Sequence, residues 1–331
     1  MFGIWFFFVA GACAYGQSTH LFRYAHSQPE PHPRSVSMQF FEQELERRSG
    51  GRIQVDAYFS GVLGREREMM DMVTTGALQG TRGAFFTDAN PRYTIFMMPF
   101  LVQDWEQARR LMYSDFTREI NAGAAANGFH IPASGISQGF RAHTNNVRPI
   151  TSPDDLRGLK MRVPPQEVYL LTAQAFGSNP QDIPYSEAYQ AIRTGVVDGQ
   201  DNAPSNIWDY KVHEVQQYLT ITNYATGPDP LIVNLAWYEG LPPDLREIFD
   251  QVSVETIRFS DDMNERSEAD YLARLSQVLE TTVVDPQGLE EFAELASPVY
   301  EHFIDKGVFS RDDVEQARRI ARGGDEDPVR D

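Results

Sequence analysis

The stretch "HLFRYAHSQPEPHPRSVSMQFFEQELERRSGGRIQVDAYFSG", residues 20–61, decides the fold class. Its ends, "HLFRYAH" and "RIQVDAYFSG", read as strands, and "RSVSMQFFEQELERRSGG" between them reads as a helix closed by Gly50 and Gly51. A second helix follows in "GREREMMDMVTTGAL". Strand alternating with helix at this spacing predicts an α/β fold with a parallel sheet.

A second set of the same kind lies further along. "FHIPASGIS" and "FRAHTNN" read as strands, "SPDDLRGL" as a capped helical turn, and "EVYLLTAQAFG" as a helix. "YSEAYQAIRTGVV" is a helix that places Tyr185, Ala188, Tyr189 and Ile192 on one face. Two α/β units predict two lobes. From Leu241 to Glu280 the chain runs without Gly or Pro after Pro243, longer than an ordinary globular helix, and is expected to bridge both lobes.

At 331 residues the chain fits two domains of ordinary size, and 41% hydrophobic residues supply packed cores. A formal charge of −18 argues against nucleic-acid or anionic-membrane partners. The apolar start "MFGIWFFFVAGACAYGQ" followed by small residues has the pattern of a secretory signal peptide, although no Lys or Arg precedes it. Cys13 is the only cysteine, so a mature chain would hold no disulfide, zinc-thiolate site or cysteine nucleophile. Export without disulfides suits the bacterial periplasm.

Enzymatic signatures such as G-x-S-x-G, H-E-x-x-H, G-x-x-x-x-G-K-[ST] and G-x-G-x-x-G are absent, and no cofactor or metal is expected. His143 and His213 have no metal-ligand spacing. The segment from 139 to 224 stands out instead, because polar residues fall at the ends of consecutive elements: Arg141, Arg162, Tyr185 and Asn202. In "GLKMRVPP" (158–165), Leu159, Met161 and Val163 alternate as a half-buried strand that the two prolines stop. Arg162 at that strand end needs an anion if buried, either a fixed acid such as Asp155 or one arriving with a ligand.

The runs "RPITSPDDLRGLKMRVPP", "AFGSNPQDIPYSEAYQAIRTGVVDGQDN" and "HEVQQYLTITNY", with "SGGRIQVDAYFSGVLGRE" upstream, resemble the solute-binding proteins of tripartite ATP-independent periplasmic (TRAP) transporters, DctP type. That resemblance implies a two-lobed periplasmic binding protein, type II-like, with a central ligand cleft and a long helix crossing both lobes. Between a signal peptide (1–16) and a charged, apolar-poor tail expected to be disordered and acidic (323–331), it divides the chain into lobe I (17–140 and 228–268) and lobe II (141–227 and 269–322). By the same resemblance Arg162 would form a two-pronged salt bridge to a ligand carboxylate. Arg141 would be a second arginine, Tyr185 an aromatic wall, Asn202 a carboxylate donor, and His26 and Glu66 the contacts from lobe I.

Guanidinium suits such a role because it is planar and permanently charged, with parallel donors that lysine lacks. Tyr224, also expected to contact the ligand, stands where many relatives carry His, and Ala84 and Phe85 make the lobe I wall more apolar than in relatives with an acid there. The resemblance implies a receptor, not an enzyme, that binds a small organic acid (a C4-dicarboxylate, hydroxy acid or sugar acid) and delivers it to membrane permease subunits. A periplasmic sensor subunit and a two-lobed periplasmic enzyme acting on an organic acid remain the alternatives.

Overall fold

In the computed structural model, which describes residues 19–83 and 85–324, the opening stretch forms the expected unit. β1 (His20–Ala25) and β2 (Ile53–Tyr58) pair in parallel, His20 opposite Ile53, with the helix Pro33–Arg48 as crossover. Pro33 sits in the first turn, where a missing N–H costs nothing, and left-handed Gly50 and Gly51 follow the helix. Phe22, Tyr24, Phe41, Leu45 and Ile53 are buried together behind it. The expected signal peptide, Cys13, Ala84 and residues 325–331 of the expected tail lie outside the described residues.

The other strands of the described residues are β3 (Gly80–Thr81), β4 (Phe129–His130), β5 (Ser134–Ile136), β6 (Ala142–Asn145), β7 (Lys160–Val163), β8 (Asn179–Asp182), β9 (Gly199–Asn202), β10 (Tyr218–Ile221), β11 (Pro228–Pro230), β12 (Ile232–Asn234) and β13 (Glu280–Val283). They form a five-stranded sheet, β2-β1-β3-β12-β4, and a six-stranded sheet, β13-β10-β6-β9-β7-β8. Each sheet is the centre of one lobe. β5 and β11 pair with each other as an antiparallel ribbon between them.

The sheets are mixed rather than parallel, which corrects the sequence expectation. β12 runs antiparallel to β3 and β4, and β6 antiparallel to β9 and β10. Both strands follow directly on a crossing between lobes, so neither is fed by the crossover helix that parallel pairing needs.

Pro243–Val278 is one continuous helix of 36 residues, about 54 Å at 1.5 Å per residue. Leu245, Phe249 and Val252 bury against the first sheet's core, and Leu275 against Leu219, Ile207 and Val212 of the second. Ser260, Asp261 and Asn264 at its middle are buried, and between Asn264 and Leu275 no residue is, so the helix passes from one lobe to the other through a less buried stretch. The helix Pro286–Asp305 then packs on Glu167–Ala175. The helix Arg311–Ala321, expected with lobe II, packs on Trp105–Met112 beside the first sheet, where Arg110 donates to the carbonyl of Ala321 at 3.1 Å. Among the described residues no helix is long and apolar enough to cross a membrane.

Candidate functional site

The register of the second sheet gathers the polar residues singled out in the sequence. Arg141 directly precedes β6, whose first residue, Ala142, lies opposite Asn202, the last of β9. Arg162 on β7 lies opposite Gln200 of β9 and Gln181 of β8, and Tyr185 begins the helix after β8. Antiparallel β6 starts where β9 ends, so all four converge at one edge of the sheet. They line a cavity of about 420 Å³, within the range of small-molecule sites, whose opposite wall comes from lobe I through Ser27, Gln28, Arg34, Glu66 and Phe85.

Arg162 is 2% exposed and forms no ion pair among the described residues. The strand around it is buried on both faces rather than half-buried, since Met161 and Val163 are also covered. Its Nε donates to the Ile183 carbonyl at 2.7 Å, its guanidinium lies 5.0 Å from the Tyr185 ring centroid, and its Nη1 has no partner. Burial, reinforced by neighbouring Arg141, pulls its pKa down to about 10, although Tyr185, Asp201 and Glu66 act the other way. The group stays charged, and the desolvation cost that lowers its pKa is one that an arriving anion relieves. Asp155, the fixed acid weighed as its partner, instead accepts from Thr151 N, Thr151 Oγ1 and Ser152 N in its own turn.

Arg141 differs. Its Nε pairs with the Asp201 carboxylate, its Nη2 donates to the Asp201 carbonyl at 2.7 Å, and its guanidinium covers the Tyr169 ring at 4.5 Å. Burial favours neutral Asp201, yet Arg141 outweighs it and holds that carboxyl at about 2. Arg141 is therefore a neutralised member of the wall. Asn202 Oδ1 accepts from Ala203 N and Asn206 Nδ2, both at 2.9 Å. The Tyr185 ring meets Tyr210 edge to face at 4.5 Å, and its buried hydroxyl has no partner.

Two expected positions fall outside the cavity. His26 is fully buried beneath it, Nδ1 2.7 Å from the Tyr24 hydroxyl and Nε2 2.8 Å from Ser35 Oγ, its ring stacked on Phe59. The next residues, Ser27 and Gln28, reach the cavity in its place. Tyr224 lies behind the wall, donating to Asp201 and stacking on His143. It thus holds the acid that neutralises Arg141.

The sequence reading missed Arg34, Gln138, Gln166 and Asn206. Arg34, at the start of its helix, is held at 3.0 Å by Asp229, 195 residues away, and Arg82 shares the same carboxylate. No local signal marks such a pairing. Across the mouth, the Tyr210 hydroxyl donates to the Ser27 carbonyl at 2.9 Å and Arg65 pairs with Glu187 at 2.7 Å, so the lobes are in contact around the cavity.

The family model for bacterial extracellular solute-binding protein, family 7 (DctP), matches residues 24–306. The chain belongs to this family, the TRAP solute-binding proteins of DctP type. It is 26% identical over 292 residues to the C4-dicarboxylate-binding periplasmic protein DctP of Rhodobacter capsulatus, covering 86% of each chain. It is 29% identical over 261 residues to the sialic acid-binding periplasmic protein SiaP of Vibrio cholerae, covering 78% of this chain and 80% of that one. Among solved structures, the sugar acid binding protein DctPAm of Advenella mimigardefordensis in complex with galactonate superposes with a TM-score of 0.87 at 23% identity, over 93% of this chain and 99% of that one. The two-lobed architecture of this TRAP solute-binding protein is thus that of a solute receptor.

Proposed function

We propose that the protein captures a small organic acid in the periplasm by pairing its carboxylate with Arg162, and delivers it unchanged to the membrane permease of a TRAP transporter. The observation that carries this reading is a guanidinium buried to 2% exposure, lining a cavity, with one nitrogen unpartnered and no fixed counter-ion among the described residues. Such a charge costs several kcal/mol to bury unless an anion joins it. Asn202 and Tyr185 frame the carboxylate, Arg141 shapes the wall, and Glu66 meets the ligand from the other lobe. The acids named for the relatives fit the same chemistry.

On this reading residues 1–16 direct export and are removed. Lobe I comprises the described residues up to 140, 228–268 and the returning helix Arg311–Ala321; lobe II comprises 141–227 and the chain from 269 to the end of Pro286–Asp305.

A thermal-shift screen tests the proposal. A carboxylate ligand at a hundred times its dissociation constant should add about 2.7 kcal/mol of stability. Neutral sugars and cationic amines at equal concentration should add none, and the bound acid should be recovered chemically intact. Saturable binding of a neutral sugar or an amine, with no response to acids, overturns the reading.

A further inference from the structure

The charges that line the cavity are Arg34, Arg65, Glu66, Arg67, Arg141 and Arg162. Four have fixed partners: Arg34 with Asp229, Arg65 with Glu187, Arg67 with Asp88, and Arg141 with Asp201. Two have none among the described residues, Arg162 in lobe II and Glu66 in lobe I. Glu66 opens its helix and is partly buried, close enough to act electrostatically on both Arg162 and Tyr210. The cavity therefore presents one open cation and one open anion, on opposite lobes.

The uncharged part of the lining carries unused hydrogen-bonding capacity. The Tyr185 hydroxyl and the amide oxygens of Gln28 and Gln166 are buried without partners. An ionised carboxylate such as Glu66 only accepts hydrogen bonds, and amide oxygens likewise call for donors. A ligand hydroxyl can donate to any of them. A second ligand carboxylate cannot, and beside Glu66 it would bring two like charges together in a cavity lined by buried side chains.

We propose that this cavity selects hydroxylated acids bearing a single carboxylate, and that Glu66 is the residue that rejects a second one. The proposal rests on the carboxylate-binding reading above and narrows it: the far end of the ligand carries hydroxyl groups, which donate to Glu66 and the neighbouring amides. Leaving a buried group unpaired, or facing it with a like charge, typically costs a factor of about ten to a hundred in affinity.

Two matched pairs of probes differ only in replacing a terminal CH2OH by a carboxylate: 4-hydroxybutyrate against succinate, and galactonate against galactarate. Calorimetry on the purified chain should show the hydroxy acid binding at least about tenfold more tightly within whichever pair binds. Glu66→Gln should shrink that ratio by about tenfold, weakening the hydroxy acid and strengthening the diacid. Arg162→Ala should weaken both members alike and leave the ratio in place. A wild-type preference for the diacid, or a ratio unmoved by Glu66→Gln, overturns the selection while leaving carboxylate capture intact. If none of the four probes binds, the selection fails, and the wider acid screen decides the receptor reading separately. The wild-type ratio carries the test even if the variant does not fold.

Discussion

Two guanidiniums, Arg82 in the first lobe and Arg162 in the second, are buried almost completely, and their surroundings could hardly differ more. Arg82 gives Nη2 to Asp229 at 2.6 Å and Nη1 to Ser37 at 2.8 Å, and Asp229 is shared with Arg34. Arg162 has one carbonyl and an aromatic ring. The first arrangement holds its counter-ion within the chain, although Arg82 Nε is left without a partner. The second gains a counter-ion only when an anion enters, so what distinguishes a binding arginine from a structural one is the missing counter-ion and not the depth of burial.

Asp229→Ala should break the first arrangement most severely. It leaves Arg34 and Arg82 buried without a counter-ion, and denaturant unfolding should show a loss of about 3–5 kcal/mol. A loss under about 1 kcal/mol would mean the lobe relaxes enough to hydrate both.

Arg162→Ala should do the opposite, sparing stability while weakening acid binding by about 2–5 kcal/mol, or roughly thirty- to several-thousand-fold. Arg162→Lys should restore little, because an ammonium lacks the planar fork. Wild-type affinity in calorimetry for Arg162→Ala would remove the contrast altogether.

The interior of the first lobe also makes a pH prediction. Burial pushes the Asp261 carboxyl up to about 7, against the hydrogen bonds it accepts from the Tyr113 hydroxyl and Ile136 N. The unfolded chain releases that proton near pH 3.9. Between these values the folded state binds more protons, so Asp261 makes stability fall as pH rises from about 4 to 7. Asp261→Asn should remove on the order of 2–4 kcal/mol of that pH dependence, read from unfolding curves across the window. An unchanged slope would place its titration elsewhere.

The smallest effect lies at the mouth. Tyr210→Phe deletes the hydrogen bond to the Ser27 carbonyl and should weaken ligand binding by about 0.5–1.5 kcal/mol, through loss of closure with Arg162 untouched. A cost to stability of the unliganded chain, with affinity unchanged, would show that this contact holds the lobes together regardless of ligand.

The sequence made local features legible. The strand–helix–strand unit at 20–61, the capping box at Ser152, the unbroken helix after Pro243 and the placement of Arg162 all rest on spacing within a few turns of chain. What escaped depends on partners far away. That Arg141 is neutralised requires knowing that Asp201 faces it across a strand pair, and that Arg34 joins the wall requires Asp229. β12 enters the first sheet about a hundred residues after the last of that sheet's other strands, through three residues of no distinctive pattern. His26 was displaced by one position, which in an extended chain reverses the direction of the side chain.

The ribbon of β5 and β11 carries a mechanical consequence. Ile136 lies opposite Pro228, and Asp261 of the long helix accepts from Ile136 N, so both chain crossings and the bridging helix are fastened at one place. Three independent tethers would permit rocking and sliding as well as closing. Tethers bound side by side behave as a single flexure, and we expect the lobes to move along one angular coordinate. Spin-label distances across the front and the back of the mouth should then change in fixed proportion as an acid is titrated, and uncorrelated changes would show that the flexure is split.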